Sequence, residues 1–230
     1  MNIYAAEITD SVAGLDIEAQ IPRLSADRRE RVKRLVSKED ARRSLLSELM
    51  IRRIICESVG ISDQEIAFGF SRYGKPFLEN NSHFHFNISH SGRWVTCVTD
   101  SAPAGIDIEL VRPVRHDIAR RFFSSAEYRY LLKKNKAKRS QYFFELWTLK
   151  ESFVKMTGEG LSRPLGSFSV NIDGKGAVRP EGENIPEAIY FKRYSIDNDY
   201  KMCVCATHRG FPESVVVRDW DYFLGKNYDT

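Results

Sequence analysis

The sequence lacks the features of a membrane or secreted protein. No stretch approaches the roughly 18 consecutive apolar residues that a membrane span needs. The N-terminal segment MNIYAAEITD has no basic stretch followed by an apolar one, so it is unlike a secretory signal. Cysteines are few, four in 230 residues, which agrees with a reducing compartment. We therefore expect a soluble cytoplasmic protein with no membrane partner.

Several familiar catalytic signatures are missing as well. The sequence has no G-x-x-x-x-G-K-[ST] loop, no G-x-G-x-x-G fingerprint and no H-E-x-x-H zinc motif. Cys203 and Cys205 are spaced C-x-C within YKMCVCATH, which alternates like a strand and favours packing over zinc binding or redox chemistry. Disorder is excluded too, because 42% hydrophobic and 12% aromatic residues suffice to build a core.

The order of secondary-structure signals repeats along the chain. Ser25 and Ser37 are typical N-caps of two helices, the second of which runs to about Ser58 and ends at Gly60. Strand-like runs follow in EIAFGFSRYGKPFL, HFHFNISHSG and RWVTCVTD. After residue 110 come the helical segments SSAEYRYLL and QYFFELWTLKESFVKMTGEGL, the latter ended by Gly158, and then the strand-like SFSVNI, AIYFKRYSI and YKMCVCATH.

This repetition predicts an α+β protein made of two similar halves, each a helix with an antiparallel sheet, related by a pseudo-twofold axis. We place the halves at residues 1–103 and 104–230. Clefts between such halves favour ligand sites, so the junction is where we expect a site. Two halves that supply one another's partner surface also favour a monomer.

Carboxylates gather at this junction. In AGIDIEL, residues 104–110, strand alternation gives one aliphatic face and one face with Asp107 and Glu109 side by side, where like charges repel. The long second helix is apolar on two sides, with Glu151 and Lys155 one turn apart among aromatic residues. An exposed ion pair would explain these two alone. Together, however, the three carboxylates form an all-oxygen set that favours Mg²⁺ or Mn²⁺ over zinc and relieves the repulsion.

Basic residues and phosphate donors indicate an anionic partner. Residues 23–53 hold eleven Lys and Arg against five Asp and Glu. This excess does not distinguish a nucleic acid, a phosphorylated small molecule and an acidic protein. Ser89 and His90, at the end of a strand-like run in NISHSG, are donors of the kind that hold a phosphate.

The motifs YGKPFL, FNISHSGRWV, GIDIE, RFFS and WTLKESFVKMTGEGLS, in this order, resemble the 4′-phosphopantetheinyl transferases of the surfactin-synthetase-activating (Sfp) type. The likeness runs nearly end to end and indicates a close relative of the type member. It implies two α+β halves with coenzyme A bound between them. It also implies Mg²⁺ on Asp107, Glu109 and Glu151 together with the pyrophosphate of the coenzyme.

The resemblance implies further roles, residue by residue. Lys155 contacts phosphate, Ser89 and His90 bind phosphate groups, and the adenine is bordered by Tyr73, Gly74, Lys75 and Pro76. At the three positions for the 3′-phosphate, where the family is expected to have Lys, Lys and Thr, this sequence has Arg28, Arg31 and Ser44. Charge and hydroxyl are kept, but the guanidinium fork differs from a lysine point charge. The implied catalytic residues are Glu151, Lys155 and His90.

The implied function is transfer of 4′-phosphopantetheine from coenzyme A to a serine of an apo carrier-protein domain, with adenosine 3′,5′-bisphosphate released. Glu151 is the candidate base, directly or through a metal-bound water. Peptide-synthetase, polyketide and fatty-acid carriers are all possible partners. Two other classes compete: a nucleic-acid-binding protein and a non-catalytic module that docks acidic carriers. The acidic trio argues against nucleic acid, and Lys155 argues against a module without activity.

Overall fold

The computed structural model describes residues 1–114, 116–172 and 178–225. Helices and mostly antiparallel strands are mixed along these ranges, which confirms the α+β class. The strands are β1 (Asn2–Glu7), β2 (Phe68–Phe70), β3 (Pro76–Leu78), β4 (His85–Ser91), β5 (Trp94–Asp100), β6 (Ala104–Leu110), β7 (Phe168–Ile172), β8 (Val178–Gly182), β9 (Tyr190–Tyr194), β10 (Tyr200–Ala206) and β11 (Val216–Val217). The helices are α1 (Asp10–Ala13), α2 (Ile17–Gln20), α3 (Ala26–Arg34), α4 (Lys38–Val59), α5 (His116–Phe122), α6 (Ser125–Lys133), α7 (Lys136–Thr157) and α8 (Trp220–Leu224).

Local signals determine the ends of the two long helices. At the start of α4 the Ser37 hydroxyl accepts a hydrogen bond from the Asp40 N–H at 3.3 Å. Gly60 after α4 has φ +77° and Gly158 after α7 has φ +79°. These left-handed backbone angles favour glycine, which is why both helices end where the sequence predicts.

The first sheet has the order β11-β1-β5-β4. β5 is antiparallel to β1 and to β4, with Thr96 opposite Ser89, and β11 runs parallel to β1. The apolar face of α4, including Leu45 and Leu49, forms one buried core with this sheet. The core also contains Trp220 and Phe223 of α8, so the last described segment packs on the first part of the chain.

The second sheet has the order β6-β10-β9 and is antiparallel, with Asp107 opposite Cys203. Helix α7 lies over β6 and β10 and buries residues on several sides. The closest approach is at Gly105, where a Cβ atom would lie 2.1 Å from the carbonyl oxygen of Ser152. Glycine at this position therefore lets α7 touch the strand that carries Asp107.

A further core, between the two sheets, joins the predicted halves. It includes Ile3 and Val98 of the first sheet with Ile106 and Met202 of the second. The pseudo-twofold relation and the boundary between 1–103 and 104–230 stay predictions, and residues 226–230 of the second range lie outside the described residues. No helix in the described ranges is long and apolar enough to cross a membrane.

Candidate functional site

The candidate site lies where β4 and β6, each at the edge of its own sheet, run alongside one another. Alternate side chains of β4 meet the backbone of β6. The Ile106 N–H donates to Asn87 Oδ1 at 2.9 Å, and the Ile108 N–H donates to Ser89 Oγ at 3.3 Å. Side chains thus take the place that a neighbouring strand's carbonyls would have in a ladder, and they bring Ser89 next to the carboxylates of β6.

Lys155 of α7 reaches into this junction. Its ammonium donates to Asp107 Oδ1 at 2.6 Å and to Ser89 Oγ at 3.0 Å, and the Ser89 hydroxyl donates to Asp107 Oδ1 at 2.9 Å. Desolvation opposes the charged ammonium, but the carboxylates around it, first Asp107 and then Glu151, raise the pKa of Lys155. A cation is therefore held at the centre of the cleft.

Glu109 and Glu151 line the same cleft, a cavity of about 260 Å³ that Trp147 also borders. Burial, followed by the negative charge of Asp107, raises the pKa of each of these two glutamates to about 7. Near neutral pH such a carboxyl group exchanges a proton readily, which suits a general base.

The predicted metal ligands share this cleft, but they are not gathered around one point. Within the described ranges, no three His, Cys, Asp or Glu side chains lie close enough together to hold a metal ion. Lys155 occupies one side of Asp107, whereas the other carboxylate oxygen, Oδ2, is buried without a hydrogen-bond partner. A buried carboxylate oxygen without a partner is costly, and a hard cation would compensate it. The donor atoms therefore fit Mg²⁺ in their chemistry.

A second cavity, of about 110 Å³, adjoins the cleft, since Ile88 lines both. Arg28, Arg31, Gly74 and Pro76 line it, so the structure brings together four of the predicted coenzyme residues. Arg31 is exposed. Asp27 and Glu48 line the cavity as well, and Glu48 pairs with Arg28, so an anionic group bound here would rely chiefly on Arg31.

Hydrogen bonds to neighbouring side chains fix the guanidinium group of Arg28. It donates from Nε to Glu48 Oε2 and from Nη1 to Ser44 Oγ, both at 3.2 Å. Glu48 is buried and also accepts bonds from the Ser25 N–H and hydroxyl. The predicted 3′-phosphate residue Ser44 is itself buried and acts here as a support for Arg28.

His90 lies between the two cavities, among positive charges. Desolvation, followed by the cations Lys155, Arg43 and Arg28, lowers the pKa of His90, and because the side chain is exposed, solvent screens both effects. The imidazole is therefore neutral at pH 7 in the free protein. Bringing a phosphate next to it would offset the surrounding cations and favour its protonation.

The predicted adenine residues form the turn between β2 and β3. Tyr73 and Lys75 line a neighbouring cavity of about 270 Å³. The Lys75 ammonium donates to the carbonyl oxygens of Ala104 at 3.1 Å and Met156 at 3.2 Å, and burial lowers the pKa of Lys75 to about 8. Lys75 therefore ties this turn to the start of β6 and the end of α7, a contact that the sequence does not predict.

Some supporting residues were missed by sequence reasoning. Lys150 on α7 is fully buried and paired with Glu127 of α6 at 2.9 Å. The one sequence feature that could have predicted its burial is its position one turn after Leu146, which lies on the apolar side of the helix. Ser91, two residues beyond Ser89, donates to Glu109 at 2.8 Å, and period-two spacing alone gave no reason to single it out.

Comparison with known proteins gives a consistent result. A family profile described as the 4′-phosphopantetheinyl transferase superfamily matches residues 103–205, and one described as 4′-phosphopantetheinyl transferase, N-terminal, matches residues 15–102. The chain is 42% identical over 224 residues to 4′-phosphopantetheinyl transferase Sfp of Bacillus subtilis (strain 168), covering 97% of this chain and 100% of that protein. It is 36% identical to the 4′-phosphopantetheinyl transferase gsp of Aneurinibacillus migulanus, covering 80% of this chain and 76% of that protein.

Among solved structures, a holo-(acyl-carrier-protein) synthase from Bacillus anthracis str. Ames, in complex with CoA (3′,5′-ADP), superimposes with a TM-score of 0.40 at 14% identity. The superposition covers 45% of this chain and 93% of that one.

Proposed function

The chain belongs to the Sfp-type 4′-phosphopantetheinyl transferases, enzymes that move the 4′-phosphopantetheine moiety of coenzyme A to a serine of a carrier-protein domain, and we propose that its reacting centre is the cleft around Lys155. The observation that carries this placement is the ammonium of Lys155 bonded to Asp107 and Ser89 between two further carboxylates. That cleft adjoins the cavity lined by the arginines, so a ligand with two separated phosphate groups would span both.

Coenzyme A would lie with its 3′-phosphate near Arg28 and Arg31 and its pyrophosphate in the cleft. Support comes from the exposed guanidinium of Arg31 and from the fixed orientation of Arg28, which Ser44 and Glu48 hold in place. A preorganised guanidinium loses less entropy when it binds a phosphate. The turn with Tyr73, Gly74, Lys75 and Pro76 would border the adenine, and His90 would face phosphate oxygens. Ser89 would donate to a phosphate oxygen only after releasing Asp107, to which its hydroxyl donates.

Asp107, Glu109 and Glu151 would hold Mg²⁺, or Mn²⁺ in its place. Such an ion, when bound, neutralises charge on the pyrophosphate. The support from this chain is the set of hard oxygen donors in one cleft and the partnerless buried Oδ2 of Asp107.

In the transfer, the carrier serine oxygen bonds to the phosphorus of the pantetheine phosphate while the P–O bond of the pyrophosphate breaks. Adenosine 3′,5′-bisphosphate leaves with that oxygen. The proton of the serine would pass to Glu151, directly or through a water. Lys155 stabilises the charge that develops on the phosphate oxygens. The enzyme would act as a cytoplasmic monomer on peptidyl or acyl carrier domains, steered by its basic surface.

Intact-mass measurement tests the proposal. The protein is incubated with coenzyme A, Mg²⁺ and an apo carrier domain, and the carrier should gain one phosphopantetheine only when the divalent cation is free of chelator. Asp107→Asn should lower the rate by about 10²- to 10³-fold, because Lys155 and the cation, which stabilise charge at the reacting phosphate, would lose the carboxylate that holds them. The exposed Asp199→Asn is the matched control. Full turnover in excess chelator would contradict the metal requirement, and equal rates for the two variants would show that the reacting centre lies elsewhere.

A further inference from the structure

The junction between β4 and β6 has a regular pattern with a period of two residues. Asn87 and Ser89 accept N–H bonds from Ile106 and Ile108. The pattern continues with Ser91, whose hydroxyl accepts from the Leu110 N–H at 3.1 Å. Each pair is offset by the same 19 positions in sequence, so the three side chains fix the register of one sheet edge against the other.

The two serines do more than the asparagine. A hydroxyl has one donor in addition to its acceptor lone pairs. Ser89 uses its donor on Asp107 at 2.9 Å, and Ser91 uses its donor on Glu109 Oε2 at 2.8 Å. The same hydroxyl therefore ties the backbone of β6 and the carboxylate that β6 carries. Among the described residues, Asn87 makes the backbone contact alone, and its partner Ile106 has no carboxylate.

The orientation of the Glu109 carboxylate depends more on such a hydrogen bond than that of Asp107 does. Asp107 is fully buried and is held by both Lys155 and Ser89, whereas Glu109 has a longer side chain at the partly exposed end of β6. The like charge of Asp107 raises the pKa of Glu109 further after burial, and the cations Lys155 and Arg112 oppose this. Its carboxylate accepts a hydrogen bond from the Ser91 hydroxyl. Without that bond, repulsion from Asp107 would turn Glu109 toward solvent.

We propose that Ser91 is a positioning residue that holds the Glu109 carboxylate toward the cleft in the orientation needed to bind the divalent cation. This inference rests on the proposed function, in which Glu109 is a ligand. Partners that orient a ligand typically change metal affinity by about 10- to 100-fold when they are removed, and we expect a change of that size here.

Direct binding of Mn²⁺ tests the role without turnover. Mn²⁺ is titrated into the complex of the protein with coenzyme A, with no carrier present, and free Mn²⁺ is followed by electron paramagnetic resonance. Ser91→Ala should weaken Mn²⁺ binding by about 10- to 100-fold. Ser91→Thr, a separate variant that keeps the hydroxyl, should bind Mn²⁺ nearly as the wild type does. Asn87→Ala is the matched control, because it removes a side-chain acceptor of one β6 N–H group in the same junction and touches no carboxylate. Both alanine variants should lose a few degrees of Tm.

Glu109→Ala separates failure of this inference from failure of the proposed metal site. If Glu109→Ala weakens Mn²⁺ binding and Ser91→Ala behaves like Asn87→Ala, the positioning role is wrong and the metal site stands. If Glu109→Ala binds Mn²⁺ as the wild type does, the metal site itself is wrong and the inference falls with it. Should Ser91→Ala fail to fold, Ser91→Cys keeps the volume with a poorer hydrogen-bonding group and should weaken Mn²⁺ binding in the same direction.

Discussion

Replacing Lys150 by methionine is expected to destabilise the protein severely although the residue lies outside the cleft. The Lys150 side chain is fully buried, and its ammonium donates to the carbonyl oxygens of Leu165 at 2.8 Å and Phe168 at 2.5 Å. It also pairs with Glu127 at 2.9 Å. These three contacts connect α7, which carries Glu151 and Lys155, to α6 and to the start of β7.

The magnitude follows from leaving a buried charge without its partner. Methionine keeps the length of the side chain, but the Glu127 carboxylate loses its cation. Breaking a buried pair in this way costs about 3–5 kcal/mol. Glu127 keeps the hydrogen bonds from the N–H groups of Ser124 and Val170, at 2.8 and 2.7 Å, which places the cost toward the lower end. For a chain of this size Tm shifts about 2–4 °C per kcal/mol, so a cost of about 3 kcal/mol should lower Tm by about 6–12 °C.

Scanning calorimetry and urea unfolding measure the effect. The control is Lys138→Met, an exposed lysine on the same helix, for which the change should stay within about 0.5 kcal/mol. In the Lys150→Met background, Glu127→Gln removes the stranded charge and should recover part of the loss, a coupling that a double-mutant cycle isolates. Equal Tm values for Lys150→Met and Lys138→Met, or no recovery on neutralising Glu127, would refute the reasoning from burial.

Three further outcomes follow from the site. Arg31→Ala should raise the KM for coenzyme A by about ten- to a hundredfold, the effect expected from loss of one charge-assisted hydrogen bond, and leave the KM for dephospho-coenzyme A nearly unchanged. An equal rise in KM for both substrates would assign Arg31 another role. By NMR, His90 in the free protein should titrate below the usual histidine pKa of 6.5, because desolvation and the cations around it lower its pKa, and adenosine 3′,5′-bisphosphate should raise the midpoint. A free-protein midpoint at 6.5 or above would contradict this effect of the cations. Gly105→Ala should lower both Tm and kcat, because the new Cβ would lie 2.1 Å from the Ser152 carbonyl oxygen and force α7 away from β6. Gly14→Ala is the control, since a Cβ there would have nothing within 4 Å. A Gly105→Ala enzyme with unchanged Tm would mean that α7 moves away from β6 without cost.

Much of the architecture follows from local patterns. Strand β6 coincides with AGIDIEL because alternation of aliphatic and acidic residues is a property of seven consecutive positions. Helices α4 and α7 end at glycines that the sequence marks. Strands β1 and β11 and helix α8 were not predicted. β1 is completed by a segment more than 200 residues away, and no local pattern records such a pairing.

The residue types of the candidate site could likewise be predicted from local patterns, but their arrangement could not. The residue types and the spacing of G-x-D-x-E and W-x-x-K-E-x-x-x-K were enough to indicate the family and to select Asp107, Glu151 and Lys155. Sequence also predicted three carboxylates around one cation, yet the structure holds them in one cleft without a preassembled cluster in the described ranges. Their arrangement depends on Lys155, which pairs with Asp107 across 48 positions.

The sequence by itself determined the periodicities, the helix ends and the chemistry available at the junction, because each of these depends on neighbouring residues. Only the tertiary structure decided that Ser91 is bonded to Glu109, that the Lys75 ammonium reaches the carbonyl oxygens of α7 and β6, and that Lys150 is buried against Glu127. These contacts join residues 18 to 81 positions apart. They form only after two sheets and a helix have packed, and packing depends on the whole chain at once.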